Sequence, residues 1–138
     1  MDKANTIDEV IKFSADKLSF DMLDSCIVKF NGFAKEHEID PKTTSVSCII
    51  IDEVVNNIIS YSGAKNFEMR MVLEDGKVYF IFRDNGTKYD PTVDAIEEAK
   101  QHQNDGKPGG YGASIICTLA DTTYKYEDGY NVLETHIK

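Results

Sequence analysis

Glu53 and Asn57 stand four residues apart in a stretch whose apolar residues recur every three or four positions. On a helix that spacing brings the two side-chain heads toward one point. A carboxylate and a carboxamide oxygen so placed suit a magnesium nucleotide site, because Mg²⁺ takes a few protein oxygens and completes its octahedron with phosphates and water. Asn57 can ligate without adding charge. Glu53, one turn away, can accept a proton from the group attacking a γ-phosphate, an effect worth about 10²- to 10⁴-fold in rate. The plainer alternative for both residues is a solvated helix face.

Two further constellations carry chemistry. Arg83-Asp84-Asn85-Gly86 closes an apolar β-favouring run at the point where the chain leaves it for a long polar excursion, and a strand end opening into such a segment is a common ligand position. Asp84 can accept from the exocyclic amine of adenine, and Gly86 lets a base come close to the backbone; an ordinary Asp-Asn-Gly turn is the alternative. Gly106-Lys107-Pro108-Gly109-Gly110-Tyr111-Gly112 then leads straight into an apolar helical pattern. Glycine-rich backbone at a helix start presents N–H groups to an anion. The run is not a P-loop, since Pro108 follows Lys107, nor a Rossmann fingerprint, since Ile115 stands where a third glycine would fall. A flexible loop is the alternative here.

The elements that must position these residues are legible from periodicity. Residues 7–13 alternate as a short strand, and Phe20, Leu23, Ile27, Phe30 and Phe33/Ala34 mark an amphipathic helix beginning near Ser19. Asp40-Pro41 is an N-cap followed by proline at the first helical position, opening a second helix that runs to about Ser60 or Tyr61 and ends at Gly63. At about 100° per residue, Ile51, Val54, Val55, Ile58 and Ile59 share one face of that helix; Glu53, Asn56, Asn57 and Ser60 share the other. Val46, Ile49 and Ile50 lie on the polar side one turn earlier, so that side is expected to be partly covered. Residues 67–73 and 78–82 flank Glu74-Asp75-Gly76-Lys77 as an antiparallel hairpin, residues 113–120 form a helix, and residues 122–127 and 130–137 flank Asp128-Gly129 as a second hairpin. The order predicts an α/β (α+β) two-layer sandwich: a mixed, mostly antiparallel sheet with helices on one face. The excursion at about residues 85–112 is too long for a plain connection and reads as a functional lid.

Composition sets outer bounds. At 138 residues, 41% hydrophobic and 28% charged, the chain fits a single domain over residues 1–138. A formal charge of −9 repels a phosphate backbone, so nucleic acid is not an expected partner. No apolar run approaches the ~20 residues of a membrane span, and the N-terminal residues lack the pattern of a signal peptide. Cys26, Cys48 and Cys117 form no C-x-x-C pair and read as free thiols, which suits a cytoplasmic protein. His37, His102 and His136 are far apart with no zinc-site spacing.

Taken together, the three constellations resemble a known family. Glu53-Val-Val-Asn56-Asn57 is similar to the N box, Asp84-Asn-Gly86 to the first glycine box, and Gly109-Gly110-Tyr111-Gly112-Ala113-Ser-Ile-Ile116 to the second glycine box of the GHKL ATPases, whose nucleotide-binding unit is the Bergerat fold. Within that superfamily the sequence most resembles the small anti-sigma factor serine kinases and related histidine-kinase-like ATPase domains. Asp84-Asn-Gly-Thr-Lys-Tyr89-Asp90-Pro91 resembles their D-x-G-x-x-F-D-P extension, and the stretch from Leu119 through Leu133 their C-terminal hairpin. The resemblance implies ATP and Mg²⁺ as cofactors, Glu53 as general base, Asn57 as magnesium ligand and Asp84 as adenine contact with Gly86 beside it. Gly109, Gly110 and Gly112 would be the phosphate-side hinge of an ATP lid, with Tyr111 and Ala113 in the same box; Lys107 is one of the lysines available to a γ-phosphate. It further implies binding to a sigma factor, phosphorylation of a serine on a STAS-type anti-sigma antagonist, and a homodimer. Tyr61 stands where the N box usually ends in His, Ala113 where the second glycine box usually has Leu, and no arginine occurs from Tyr89 to Pro108. Those departures keep a second reading open, an ATP-binding module that sequesters a partner without phosphoryl transfer.

Overall fold

The computed structural model describes residues 6–93 and 112–138. In chain order these form β1 (Thr6–Ser14), α1 (Phe20–Glu36), α2 (Pro41–Asn57), a π-type helical turn (Ile58–Ser62), β2 (Asn66–Glu74), β3 (Lys77–Asp84), α3 (Gly112–Leu119), β4 (Ala120–Glu127) and β5 (Tyr130–Ile137). The sheet runs in the order β1-β2-β3-β5-β4, and all four pairings are antiparallel. Both hairpins turn through Asp-Gly pairs with positive φ at each residue, Asp75-Gly76 and Asp128-Gly129. That is the backbone hand a two-residue hairpin needs.

α2 starts as expected, with Pro41 in its first turn and the Asp40 carboxylate accepting from the Thr43 N–H at 3.1 Å. That bond holds the Asp40 pKa below the usual carboxylate range. The regular helix stops at Asn57, and the last turn widens into the π-type segment before Gly63 reverses the chain at φ +67°. In the third helix, expected over residues 113–120, the strand takes over one residue sooner and β4 begins at Ala120.

One face of the sheet carries the core. Phe67, Met69 and Met71 of β2, Val78, Phe80 and Phe82 of β3, and Leu133 of β5 face Phe30 and Phe33 of α1, Ile51 and Val55 of α2, and Ile116 of α3. α2 packs against both α1 and α3. Phe30 meets Phe80 edge to face at 5.2 Å between ring centroids, the geometry aromatic quadrupoles favour. Two details of the apolar pattern differ from the expectation. The buried stripe of α1 is built on Met22, Cys26, Phe30, Phe33 and Ala34, while Phe20, at the first residue of the helix, is 53% exposed. Ile50 turns into the core, Val46 packs partly buried against it, and of the three upstream residues Ile49 alone stays exposed, at 45%. All three cysteines are free; burial pushes the Cys26 thiol up to about 12. Among the described residues no helix is long and apolar enough to cross a membrane.

This packing sets a contrast for mutation. Phe80→Ala should lower unfolding free energy by about 3–5 kcal/mol, and Phe20→Ala by no more than about 0.5 kcal/mol, measured by urea denaturation.

Candidate functional site

The polar side of α2 does not face open water throughout. Glu53 and Asn57 are half-buried, and what lies against them is the first residue of α3. A Cβ built on Gly112 would sit 2.8 Å from Glu53 Oε1, 3.5 Å from Asn57 Nδ2 and 3.7 Å from Asn57 Oδ1. Residues separated by more than fifty positions thus meet, and any side chain at Gly112 would crowd the carboxylate. The i, i+4 convergence inferred from spacing is present, with the glycine-box residue set against it.

Asp84 lies at the end of β3, on the same face as Phe80 and Phe82, and is 5% exposed. Strand alternation puts it there: the positions 78, 80, 82 and 84 all point to the core side. Burial raises its pKa above the usual carboxylate value, opposed by the Gly86 N–H at 2.9 Å and the Asn131 amide at 3.1 Å, both on Oδ1. A buried carboxylate held by hydrogen bonds at a strand end, lining a cleft, is a candidate functional position. Its neighbour Asn85 has a different task, accepting the N–H groups of Lys65 and Asn66 at 2.8 and 2.9 Å and so pinning the start of β2 to the end of β3.

A cleft of about 450 Å³ opens between α2 and the β3–β5 end of the sheet, within the size range of small-molecule sites. Val54, Ile58, Phe82 and Leu133 give it apolar walls; Asn57, Asp84, Asn131 and Gly112 supply polar atoms and backbone. Tyr61, Lys88 and Tyr89 also line it, Tyr61 with 82% of its surface exposed. Lys88 Nζ lies 5.5 Å from the Tyr126 ring centre. An apolar slot with a carboxylate acceptor at one end suits a flat heteroaromatic ring bearing an amine.

The structure therefore brings Asn57, Asp84 and Gly112 to one cleft, with Glu53 at its edge. Beside Asp84, Gly86 is approached by Ser62: an added Cβ would come within 2.5–2.6 Å of Ser62 Cβ, O and Oγ. Ala113 is buried in the first turn of α3, 1% exposed. Lys107, Gly109, Gly110 and Tyr111 lie outside the described residues, as does the rest of the expected lid over 94–111.

Sequence reasoning singled out no role for Asn131 or Tyr124. Asn131 Oδ1 accepts the Tyr124 hydroxyl at 2.6 Å and the Tyr89 N–H at 3.0 Å, while its amide donates to Asp84 and to the Thr87 carbonyl at 3.0 Å. Burial is the main cause of the raised Tyr124 pKa. One signal was present: Asn131 shares the alternation phase of Leu133 and Thr135, a polar residue on the buried face of β5.

A model of the histidine kinase-like ATPase domain matches residues 22–136. Among solved structures, a chain of the SiaB–SiaC complex from Pseudomonas aeruginosa has this fold, with a TM-score of 0.57 at 12% identity, covering 92% of this chain and 88% of that one. Comparison with curated proteins gives no match.

The buried carboxylate has a signed consequence. Because its folded pKa is raised, the native chain holds more protons than the unfolded chain between the ordinary carboxylate value, about 3.9, and the raised one. Stability from this group is therefore fully present at low pH, falls as pH rises through that window, and stays reduced above it. Asp84→Asn keeps an acceptor for Gly86 and Asn131 and removes the charge. It should raise the thermal midpoint at pH 7, and the gain over wild type should vanish in melts taken at acid pH.

Proposed function

The chain belongs to the histidine kinase-like ATPase domain family, and from that premise we propose that it binds ATP with Mg²⁺ and acts on a protein partner as an anti-sigma-factor-type serine kinase. The observation that carries the proposal is the convergence of the three constellations: Asn57, Asp84 and Gly112 line one cleft, and Glu53 abuts Gly112. In this reading the adenine enters the apolar slot and its amine donates to Asp84.

The magnesium expectation is tested by the donor set. The Glu53 carboxylate and Asn57 amide face the space that a Cβ on Gly112 would fill. Hard oxygen donors of this number fit a cation that keeps phosphates and water as its other ligands. Asn57 is the residue assigned to hold it, and the ion would supply charge neutralisation on the phosphates. For the transfer itself, Glu53 takes the proton of a serine hydroxyl on the partner. The serine oxygen forms a bond to the γ-phosphorus as the bond to the bridging oxygen breaks, and ADP leaves.

The partners proposed are a sigma factor and a STAS-type antagonist that carries the serine; a homodimer belongs to the same reading, and so does a cytoplasmic location. The similar chain from Pseudomonas aeruginosa was solved in a SiaB–SiaC complex, which supports a role for this fold in binding a second protein. A second reading is favoured by the absence of arginine between Tyr89 and Pro108: the domain would bind ATP and sequester its partner without transfer. A lysine meets phosphate as a point charge and does not orient it bidentately.

Unfolding with and without magnesium-ATP tests the binding common to both readings, and a phosphate-transfer assay separates them. At ~100 times the dissociation constant the ligand should add about 2.7 kcal/mol of stability, and Asn57→Ala should lose the magnesium-dependent part. Glu53→Gln should keep the shift while lowering phosphate transfer to a serine-bearing partner by about 10²- to 10⁴-fold. A shift without transfer by the wild type selects the sequestering module. Absence of a shift with ATP, ADP or a non-hydrolysable analogue overturns both.

A further inference from the structure

Asn131 is 6% exposed and stands opposite Asp84 in the β3–β5 ladder. Its side chain uses all of its hydrogen-bonding capacity on protein. The amide nitrogen donates to Asp84 Oδ1 at 3.1 Å and to the Thr87 carbonyl at 3.0 Å, with the Gly86 carbonyl farther off at 3.4 Å. The amide oxygen accepts from the Tyr89 N–H at 3.0 Å and the Tyr124 hydroxyl at 2.6 Å. Nothing remains with which to bind a ligand strongly, so its contribution to the cleft is through what it holds.

What it holds falls into two groups. One is the Asp84 carboxylate: with Gly86 N–H and Asn131 both on Oδ1, Oδ2 keeps no protein hydrogen bond among the described residues and is the oxygen left for a ligand. The other is the backbone of residues 86–89, from which Lys88 and Tyr89 line the same cleft. A neutral amide suits this double task because it offers donor and acceptor together. An aspartate in its place would set a second carboxylate on Asp84, and a hydroxyl is too short to serve both sides.

We infer that Asn131 is a positioning residue that holds the base-reading carboxylate of Asp84 and the strap of residues 86–89 as one unit, coupling nucleobase selectivity to the order of that strap. The inference rests on the nucleotide reading of the cleft and adds a residue and a coupling to it. Two consequences follow from the geometry. Loss of the amide donor leaves Asp84 free to rotate or take up a proton, which weakens discrimination between a purine bearing a 6-amino group and one bearing a 6-oxo group. Loss of the amide oxygen removes the acceptor that holds the Tyr89 N–H.

The experiment compares wild type, Asn131→Asp and Asn131→Ala in ATP and GTP affinity from pH 6 to 8, with amide exchange of Tyr89 followed by NMR. Asn131→Asp should lose about ten- to a hundredfold in ATP affinity at pH 8, the range for a hydrogen bond to a charged group, and its preference for ATP over GTP should shrink in proportion. Two adjacent carboxylates share a proton as pH falls. The variant should therefore regain affinity toward pH 6 while the wild type stays flat, a profile that simple loss of packing does not produce. In Asn131→Ala the Tyr89 amide should exchange at least tenfold faster. If Asn131→Asp does not fold, Tyr124→Phe, which removes one partner of the same amide, should show the selectivity loss in weaker form. Unchanged ATP-to-GTP ratio and pH profile in a folded variant, or unchanged Tyr89 exchange, overturns the inference while leaving nucleotide binding intact. A wild type that binds neither nucleotide removes the functional reading and this inference with it.

Discussion

Asp84 places a carboxylate under the protein surface at the end of a central strand, and much of the site's architecture compensates for that burial. No ion pair to Asp84 exists among the described residues; its stabilisation comes from N–H donors. A buried charge without a counter-ion is tolerated only when its lone pairs are engaged. One donor requires the chain to fold back within two residues, which it does at Gly86. The other requires β5 to lie in the register that sets Asn131 against Asp84. Since side chains alternate with period two, a slip of one residue would send Asn131 to the opposite face. The Asp128-Gly129 turn fixes the register of β5 against β4, the strand whose Tyr124 hydroxyl also binds Asn131.

The other wall depends on where α2 stops being regular. Val54, Val55 and Ile58 bind the helix to the core, and the same helix shows Glu53 and Asn57 to the start of α3. Widening into the π-type turn brings Ser62 to the segment after β3: its carbonyl accepts the Thr87 N–H at 2.8 Å, and its hydroxyl donates to the Ile58 carbonyl at 2.6 Å. A regular last turn would carry Ser62 elsewhere. π-type turns inside helices are frequently found at functional sites, and here the turn joins the two walls of the cleft. Gly86 is glycine because Ser62 occupies the place of its side chain.

Periodicity made the elements legible because each has a one-sided environment. The alternation of β2 and β3 and the stripe of α2 follow directly from a single buried face. Phe20 shows the limit: pattern locates a stripe on a helix but not where the neighbouring layer ends, and among the described residues the ring at the first position of α1 is left 53% exposed. The site was legible as far as local chemistry reaches. Glu53 and Asn57 are neighbours through helix geometry, and Asp84 is set by strand alternation. Asn131 was not legible as a site residue, because its partner lies forty-seven positions away and the pairing exists only through strand register. The approach of Ser62 to Gly86 was not legible for the same reason, since Ser62 stands on another element.

The open face of the sheet clarifies what the core face must do alone. There Arg70 Nη1 reaches both oxygens of Asp8 at 2.8 and 2.9 Å, Glu68 lies near Lys12, Arg70 and Arg83, and Arg83 stacks over Tyr130 at 4.3 Å. Exposed pairs of this kind contribute about 0–1 kcal/mol each, so they satisfy polar groups and discourage edge and face association more than they hold the fold. Stability therefore rests on the face that α1, α2 and α3 cover, and the cleft opens at the rim of that same face. Asp84 and Asn131 continue the rows that Phe80, Phe82 and Leu133 begin. The apolar packing that lets the chain fold is thus also what lowers the polarity around the carboxylate, and a substitution that loosens the core beneath Phe82 reaches the site by letting water back to Asp84.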